Sequence, residues 1–233
     1  MRSFILGDIH GCSRPLTKIL EILAPDPKTD RVILLGDLFD RGPNSWEVLQ
    51  IVRSLASSFE DRFVLLRGNH EDYLLQEKLT FSERMVWERV GRQTTVRSFK
   101  EHGEKIEDCV PWIREHAVLS CRGDDFYCVH AGLKVDPPEA NDSWTLIHDH
   151  GIVLKNRYSG PLAIVGHIAL PEPMWFAGDG ETLEELPCGE WQTLPDHGII
   201  CIDAGCGKGG RLIGMQIENG RFILREADEG GAF

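Results

Sequence analysis

Long apolar runs are missing from this chain of 233 residues. Nowhere do 18 apolar residues follow one another, so no membrane span is expected. The opening Met1-Arg2-Ser3-Phe4-Ile5-Leu6-Gly7-Asp8 carries an apolar stretch that stops at an aspartate, too short for a secretory signal. A basic surplus is missing too. Lys and Arg number 25 against 37 Asp and Glu, a formal net charge of −12. Such a chain repels nucleic-acid phosphates at long range, which argues against a general nucleic-acid binder and against a metallonuclease. A phosphorylated substrate is not excluded, because local cations overrule the net field. No Cys-x-x-Cys pair occurs among the seven cysteines, so a structural zinc site is not expected. Their number is odd and the chain too large to need staples, which points to free thiols in a reducing, cytoplasmic setting. Cys121, Cys128 and Cys201 lie in apolar runs and read as small core residues. Linkers, repeats and low-complexity tracts are absent as well. What remains, 42% hydrophobic and 27% charged, is ordinary for one soluble α/β domain spanning 1–233.

The first 70 residues show a rhythm. Apolar runs at 3–6, 31–35 and 63–66 are short and β-branched, as buried strands are. Between them, Leu16, Ile19, Leu20 and Leu23 recur at helical spacing, as do Trp46, Val48, Leu49, Val52 and Leu55. Alternating strands and helices imply βαβ units and a largely parallel sheet. Residues 71–116 read as mostly helical. Strands are expected at 117–120, 126–129, 162–165, 199–202 and 211–217, and Asn219-Gly220 signals a hairpin. Residues 134–143 and 171–198 read as surface loops, and Asp228 to Phe233 as a frayed tail.

The chemistry lies where the strands stop. Gly7-Asp8-Ile9-His10-Gly11, Gly36-Asp37-Leu38-Phe39-Asp40-Arg41-Gly42 and Gly68-Asn69-His70-Glu71 each follow a strand, as do His130-Ala131-Gly132 and Gly166-His167. In open α/β sheets, ligands bind beyond the carboxyl ends of the strands. The loops therefore gather Asp8, His10, Asp37, Asn69, His130 and His167 at one crevice. One Asp-x-His after a strand is usually a turn and a surface histidine. Five strand ends with ligand-type residues beside glycine are hard to explain by turn chemistry. This oxygen and imidazole set, without thiolate, suits Mn, Fe or Zn better than Ca or Mg. It is too large for one ion with an open position, and about right for two ions sharing a carboxylate.

The motifs GDIHG (7–11), GDLFDRG (36–42), RGNHE (67–71), VHAG (129–132) and VGH (165–167) resemble, in order and spacing, those of the phosphoprotein phosphatase branch of the calcineurin-like metallophosphoesterases. IDAGCGKGGRL (202–212) is similar to a segment of bacterial and phage members and of the related diadenosine tetraphosphate hydrolases. The resemblance implies a hydrolase with a two-layered β-sandwich of mixed sheets flanked by helices, with catalytic motifs over 7–167 and C-terminal strands at about 199–226. It implies Asp8 and His10 on a first divalent metal, Asp37 bridging, and Asn69, His130 and His167 on a second, with Mn the leading choice. Water activated by the metal pair would attack phosphorus, which leaves Cys12 without a nucleophile's role. His70 would be the general acid, Asp40 would hold its tautomer, and Arg41 would clamp phosphate oxygens, with Asn69 and His70 also at the substrate. Arg67 is open between substrate contact and an ion pair with Glu71 or Asp40.

The chain departs from the family pattern on the substrate side. Thr-Leu-Ile-His follows Trp144 where relatives carry an arginine, which leaves Arg157 or His148 as replacements, and Ile168 stands where many bacterial relatives have threonine. His148 and His150 are expected in solvent by default, as are His102, His116 and His197. The leading expectation is a serine/threonine, and also tyrosine, protein phosphatase. The alternative is a hydrolase of dinucleoside polyphosphates or another small phosphometabolite, for which Trp144, Trp175, Phe176 and Trp191 could supply a stacking pocket, although at least two of them read as core anchors. A catalytically dead binding module would have lost ligands or the acid, and all are present.

Overall fold

A computed structural model of the chain describes residues 1–230. The first half runs β1 (Ser3–Leu6), α1 (Ser13–Leu23), β2 (Arg31–Leu34), α2 (Ser45–Phe59), β3 (Phe63–Leu66), α3 (Asn69–Leu75), α4 (Phe81–Arg89), α5 (Arg92–Glu101), α6 (Val110–His116) and β4 (Ala117–Val118). The second runs β5 (Ser120–Arg122), β6 (Tyr127–Val129), α7 (Ser143–His148), α8 (Gly151–Lys155), β7 (Ala163–Val165), β8 (Met174–Phe176), β9 (Leu183–Glu185), β10 (Trp191–Thr193), β11 (Ile199–Cys201), β12 (Leu212–Glu218) and β13 (Arg221–Ala227). No helix among the described residues is long and apolar enough to cross a membrane.

Two mixed sheets form. One has the order β10-β13-β12-β1-β2-β3-β4, the other β5-β6-β7-β11-β8-β9. The expected parallel pairing holds for β1 through β4 and for β6, β7 and β11. Antiparallel strands complete each sheet, so the fold is mixed rather than largely parallel. The alternation of β1 explains the layering. Phe4 and Leu6 point to one side, where they pack with Leu16, Ile19, Val48 and Leu49 of α1 and α2. Ile5 points to the other, against Ile164, Ile200 and Ile202 from the second sheet, with Met215 and Phe222. The far side of the second sheet buries Val129, Val165 and Cys201 under Ile147 and Ile152 of α7 and α8. The result is a sandwich with helices on both outer faces.

The Asn219-Gly220 hairpin is as expected, with φ of 51° and 69° suited to a type I′ turn. The stretch 171–198 is not loop throughout, because β8, β9 and β10 lie within it. Trp175 and Phe176 belong to β8, packed on the sheets, while Trp144 and Trp191 are exposed. Of the expected tail, Asp228 is paired with Lys18 at 3.2 Å, and 231–233 lie outside the described residues. His102 is exposed as expected, although it stacks on Trp46, whereas His116 and His197 are half-buried against Trp112 and Trp175.

Candidate active site

Each motif sits just past the carboxyl end of a strand: Asp8 and His10 after β1, Asp37 and Asp40 after β2, Asn69 and His70 after β3, His130 after β6, and His167 after β7. Both sheets therefore contribute to one cluster. The loops turn sharply. His10, Asp37, Asp40, Arg41 and His167 all hold left-handed backbone, with φ between 46° and 70°. That conformation costs a non-glycine residue about 1 kcal/mol or more. The glycines serve close approach instead. A Cβ on Gly166 would collide with Asp8 Oδ1, and one on Gly68 with Asp37 Oδ1.

Two groups of donor atoms share Asp37: His10, Asp37 and His70, and Asp37, His130 and His167, each within 4.8 Å of one another. Asp8 joins the first side, its Oδ2 lying 3.8 Å from His10 Nε2. Asn69 joins the second, its Oδ1 lying 2.9 Å from His167 Nδ1 and 3.1 Å from His130 Nε2. Backbone carbonyls fix the rings. His10 Nδ1 donates to Phe39 O at 2.9 Å and His130 Nδ1 to Leu35 O at 2.7 Å. This turns the Nε2 atoms inward. His10 Nε2 and His70 Nε2 are buried with no hydrogen-bond partner, although buried polar atoms are ordinarily satisfied.

The electrostatics have the same gap. Burial, with Asp203 and Asp37 nearby, raises the Asp8 carboxyl well above its ordinary range. Burial, again with Asp37, pushes Asp203 to about 6. Burial also works against Asp37, but His130, His70, His10 and His167 outweigh it and hold that carboxylate low. Burial and His70 lower His10, and burial with His130 lowers His167 to about 2. Buried carboxylates, unprotonated imidazoles and the orphaned His10 Nε2 facing one another are what divalent cations satisfy. The residues present therefore fit a two-cation site.

His70 is held differently from the other imidazoles. Its Nδ1 pairs with Asp40 Oδ2 at 2.6 Å. Burial disfavours its charge, but Asp37 and Asp40 prevail and raise it above the ordinary histidine value. Asp40 is itself anchored, accepting from Trp87 Nε1 at 2.8 Å and Thr95 Oγ1 at 2.6 Å. Glu71 is the hub of the next layer. Its carboxylate accepts the N–H groups of Asp37 and Leu38 at 2.8 Å and of Gly68 at 3.1 Å. Burial and Asp37 push it to about 7. Glu71→Ala should cost about 2 kcal/mol, because three unpaired buried amides outweigh the relieved repulsion with Asp37. In a thermal scan that is a fall of about 4–8 °C for a chain of this size, and a shift within 1 °C would contradict it.

Arg67 pairs with Asp72, not with Glu71 or Asp40. His148 does not stand free in solvent: its Nε2 lies 3.0 Å from Asp72 Oδ2. His150 is exposed as expected, yet its Nδ1 lies 3.3 Å from His167 Nε2, which puts it at the rim of the cluster. Arg41 makes no side-chain hydrogen bond or ion pair among the described residues and borders an open groove with Gly207 and Gly209. Sequence reasoning missed Asp203, although Ile199–Cys201 followed by Ile202-Asp203-Ala204 repeats the strand-then-aspartate signal. It also missed Trp87 and Thr95, for which no local signal exists.

The profile described as calcineurin-like phosphoesterase matches residues 1–201. A symmetrical bis(5′-nucleosyl)-tetraphosphatase of Pseudomonas fluorescens is 34% identical over 63% of this chain and 46% of its own length. The chain thus spans about half the length of that relative. The enzyme of the same description from Erwinia tasmaniensis is 30% identical, with 97% of both chains covered. Among solved structures, a metallophosphoesterase from Sphaerobacter thermophilus superposes with a TM-score of 0.66 at 18% identity, covering 98% of this chain and 89% of that one.

Proposed function

Since this chain belongs to the calcineurin-like phosphoesterase family, we propose that it is a metal-dependent hydrolase of dinucleoside polyphosphates, built as a single catalytic domain. The observation that carries the substrate class is the similarity, along nearly the full length of both chains, to a symmetrical bis(5′-nucleosyl)-tetraphosphatase. That favours the alternative of the sequence reading over a protein phosphatase.

Asp8, His10 and Asp37 would hold one divalent cation, and Asp37, Asn69, His130 and His167 a second, with manganese, iron or zinc suited to the donors. When bound, such a pair supplies Lewis acidity to phosphate oxygens and a lowered pKa to attacking water. The chain's own side chains do the rest. Arg41, unpaired at the groove, offers a planar fork to phosphate oxygens. Asp40 accepts the Nδ1–H of His70 and, with Asp37, favours the imidazolium, whose Nε2–H faces the cluster. His70 therefore presents a proton to the departing oxygen as bond cleavage proceeds.

Turnover with Mn²⁺ of diadenosine tetraphosphate, beside a set of phosphoserine and phosphothreonine peptides, tests the substrate class. We expect kcat/KM for the dinucleotide to exceed that for every peptide by at least tenfold. A preference for peptides would overturn the reading.

A further inference from the structure

The pocket beside the segment that carries His150 has a lining whose charge is opposite to that of the whole chain. Lys134, Lys155 and Arg157, with Asp149, stand around a pocket of about 180 Å³ whose apolar wall includes Ile152 and Tyr158. Lys134 is engaged, 3.0 Å from Asp149 Oδ2 and donating to Thr145 Oγ1 at 2.9 Å. Lys155 and Arg157 form no ion pair among the described residues. Trp144 stands beside the pocket, 57% exposed, with the Lys134 ammonium 5.6 Å from its ring centroid. The pocket adjoins the segment that reaches the catalytic cluster. Asp149 and Gly151 line it, and His150 between them lies against His167.

In a chain of net charge −12, a polyanion beyond the reach of Arg41 needs a local positive field to stay bound. Unpaired cations in the lining, an apolar wall and an exposed indole together suit phosphates that end in a flat base. We propose that this pocket is the subsite for the half of a dinucleoside polyphosphate that extends past the reacting phosphorus. Lys155 and Arg157 take its non-reacting phosphates, and Trp144 with the apolar wall takes its base. The inference rests on the dinucleoside polyphosphate reading and adds the place where the second nucleotide lies.

The test is calorimetric binding of a non-hydrolysable, methylene-bridged diadenosine tetraphosphate to the metal-loaded protein. Lys155→Ala/Arg157→Ala should raise Kd at least tenfold. It should also lower kcat/KM for diadenosine tetraphosphate relative to p-nitrophenyl phosphate by a similar factor. A remote pair of exposed cations, Lys100→Ala/Arg114→Ala, should shift Kd less than twofold. Equal affinity in wild type and the pocket variant would overturn the subsite, as would an equal loss in the remote variant or no binding by the wild type at millimolar analogue. Wild-type protein that binds the analogue through these residues but does not hydrolyse diadenosine tetraphosphate would instead overturn the substrate reading and leave the subsite standing.

Discussion

Asp37→Asn is expected to lower turnover of every phosphate ester by about 1,000-fold or more, which corresponds to about 4 kcal/mol of lost transition-state stabilisation. Asp37 is the one residue common to both donor groups, so its charge serves both cation positions at once. Four imidazoles surround it and hold it ionised. Asparagine preserves the shape and can still accept the His70 backbone N–H, which now reaches Asp37 Oδ1 at 3.1 Å. The loss should therefore come from charge and not from collapse of the loop. Metal content per chain, measured on the purified variant, should drop alongside kcat while the far-UV circular dichroism spectrum stays that of wild type. A variant that retains two bound ions and more than a tenth of the wild-type rate would refute the shared role.

His70→Asn should discriminate among leaving groups. A positioned general acid contributes about 10²–10⁴-fold where the departing oxygen must be protonated. Alkyl phosphates leave as strongly basic alkoxides and should lose that much. p-Nitrophenyl phosphate leaves as a stabilised phenolate and should lose far less. A nucleoside diphosphate leaving from a dinucleoside tetraphosphate is also weakly basic, so that substrate should resemble the aryl ester. Plotted against leaving-group pKa, the variant's log kcat/KM should fall more steeply than the wild type's. Parallel lines would remove His70 from the acid's role and leave its Asp40 contact a packing feature. Asp40 carries a corollary, since Trp87 and Thr95 hold it from a helical region with no catalytic motif of its own.

The cluster was legible in sequence because strand ends fix where a side chain must go. Short apolar runs that stop at glycine and a ligand-type residue mark both the strand and its open end, and this held for Asp8, Asp37, Asn69, His130 and His167. What supports the cluster was not legible. Trp87 and Thr95 reach Asp40 only because α4 and α5 pack across the loop after β2, a tertiary contact without local periodicity. Glu71 lies within a motif, where the sequence offers it only as a partner for Arg67. Its contacts with the backbone of Asp37 and Leu38 depend on how two loops meet. β9 and β10 went unseen because Leu183-Glu184-Glu185 and Trp191-Gln192-Thr193 are three-residue strands with little buried side, and so carry no alternation to detect. His148 reads as solvated in the sequence because its partner, Asp72, is distant along the chain.

The left-handed residues at the strand ends have a consequence for descent. His10, Asp37, Asp40, Arg41 and His167 adopt a backbone that glycine or asparagine would accept more readily. The candidate site therefore stores backbone strain at five positions, which selection for its chemistry would maintain. In a lineage freed from that selection, these five positions should be among the first to drift, and the drift should run toward glycine and asparagine. The descendants would then be inert siblings that melt at higher temperature than their working ancestor.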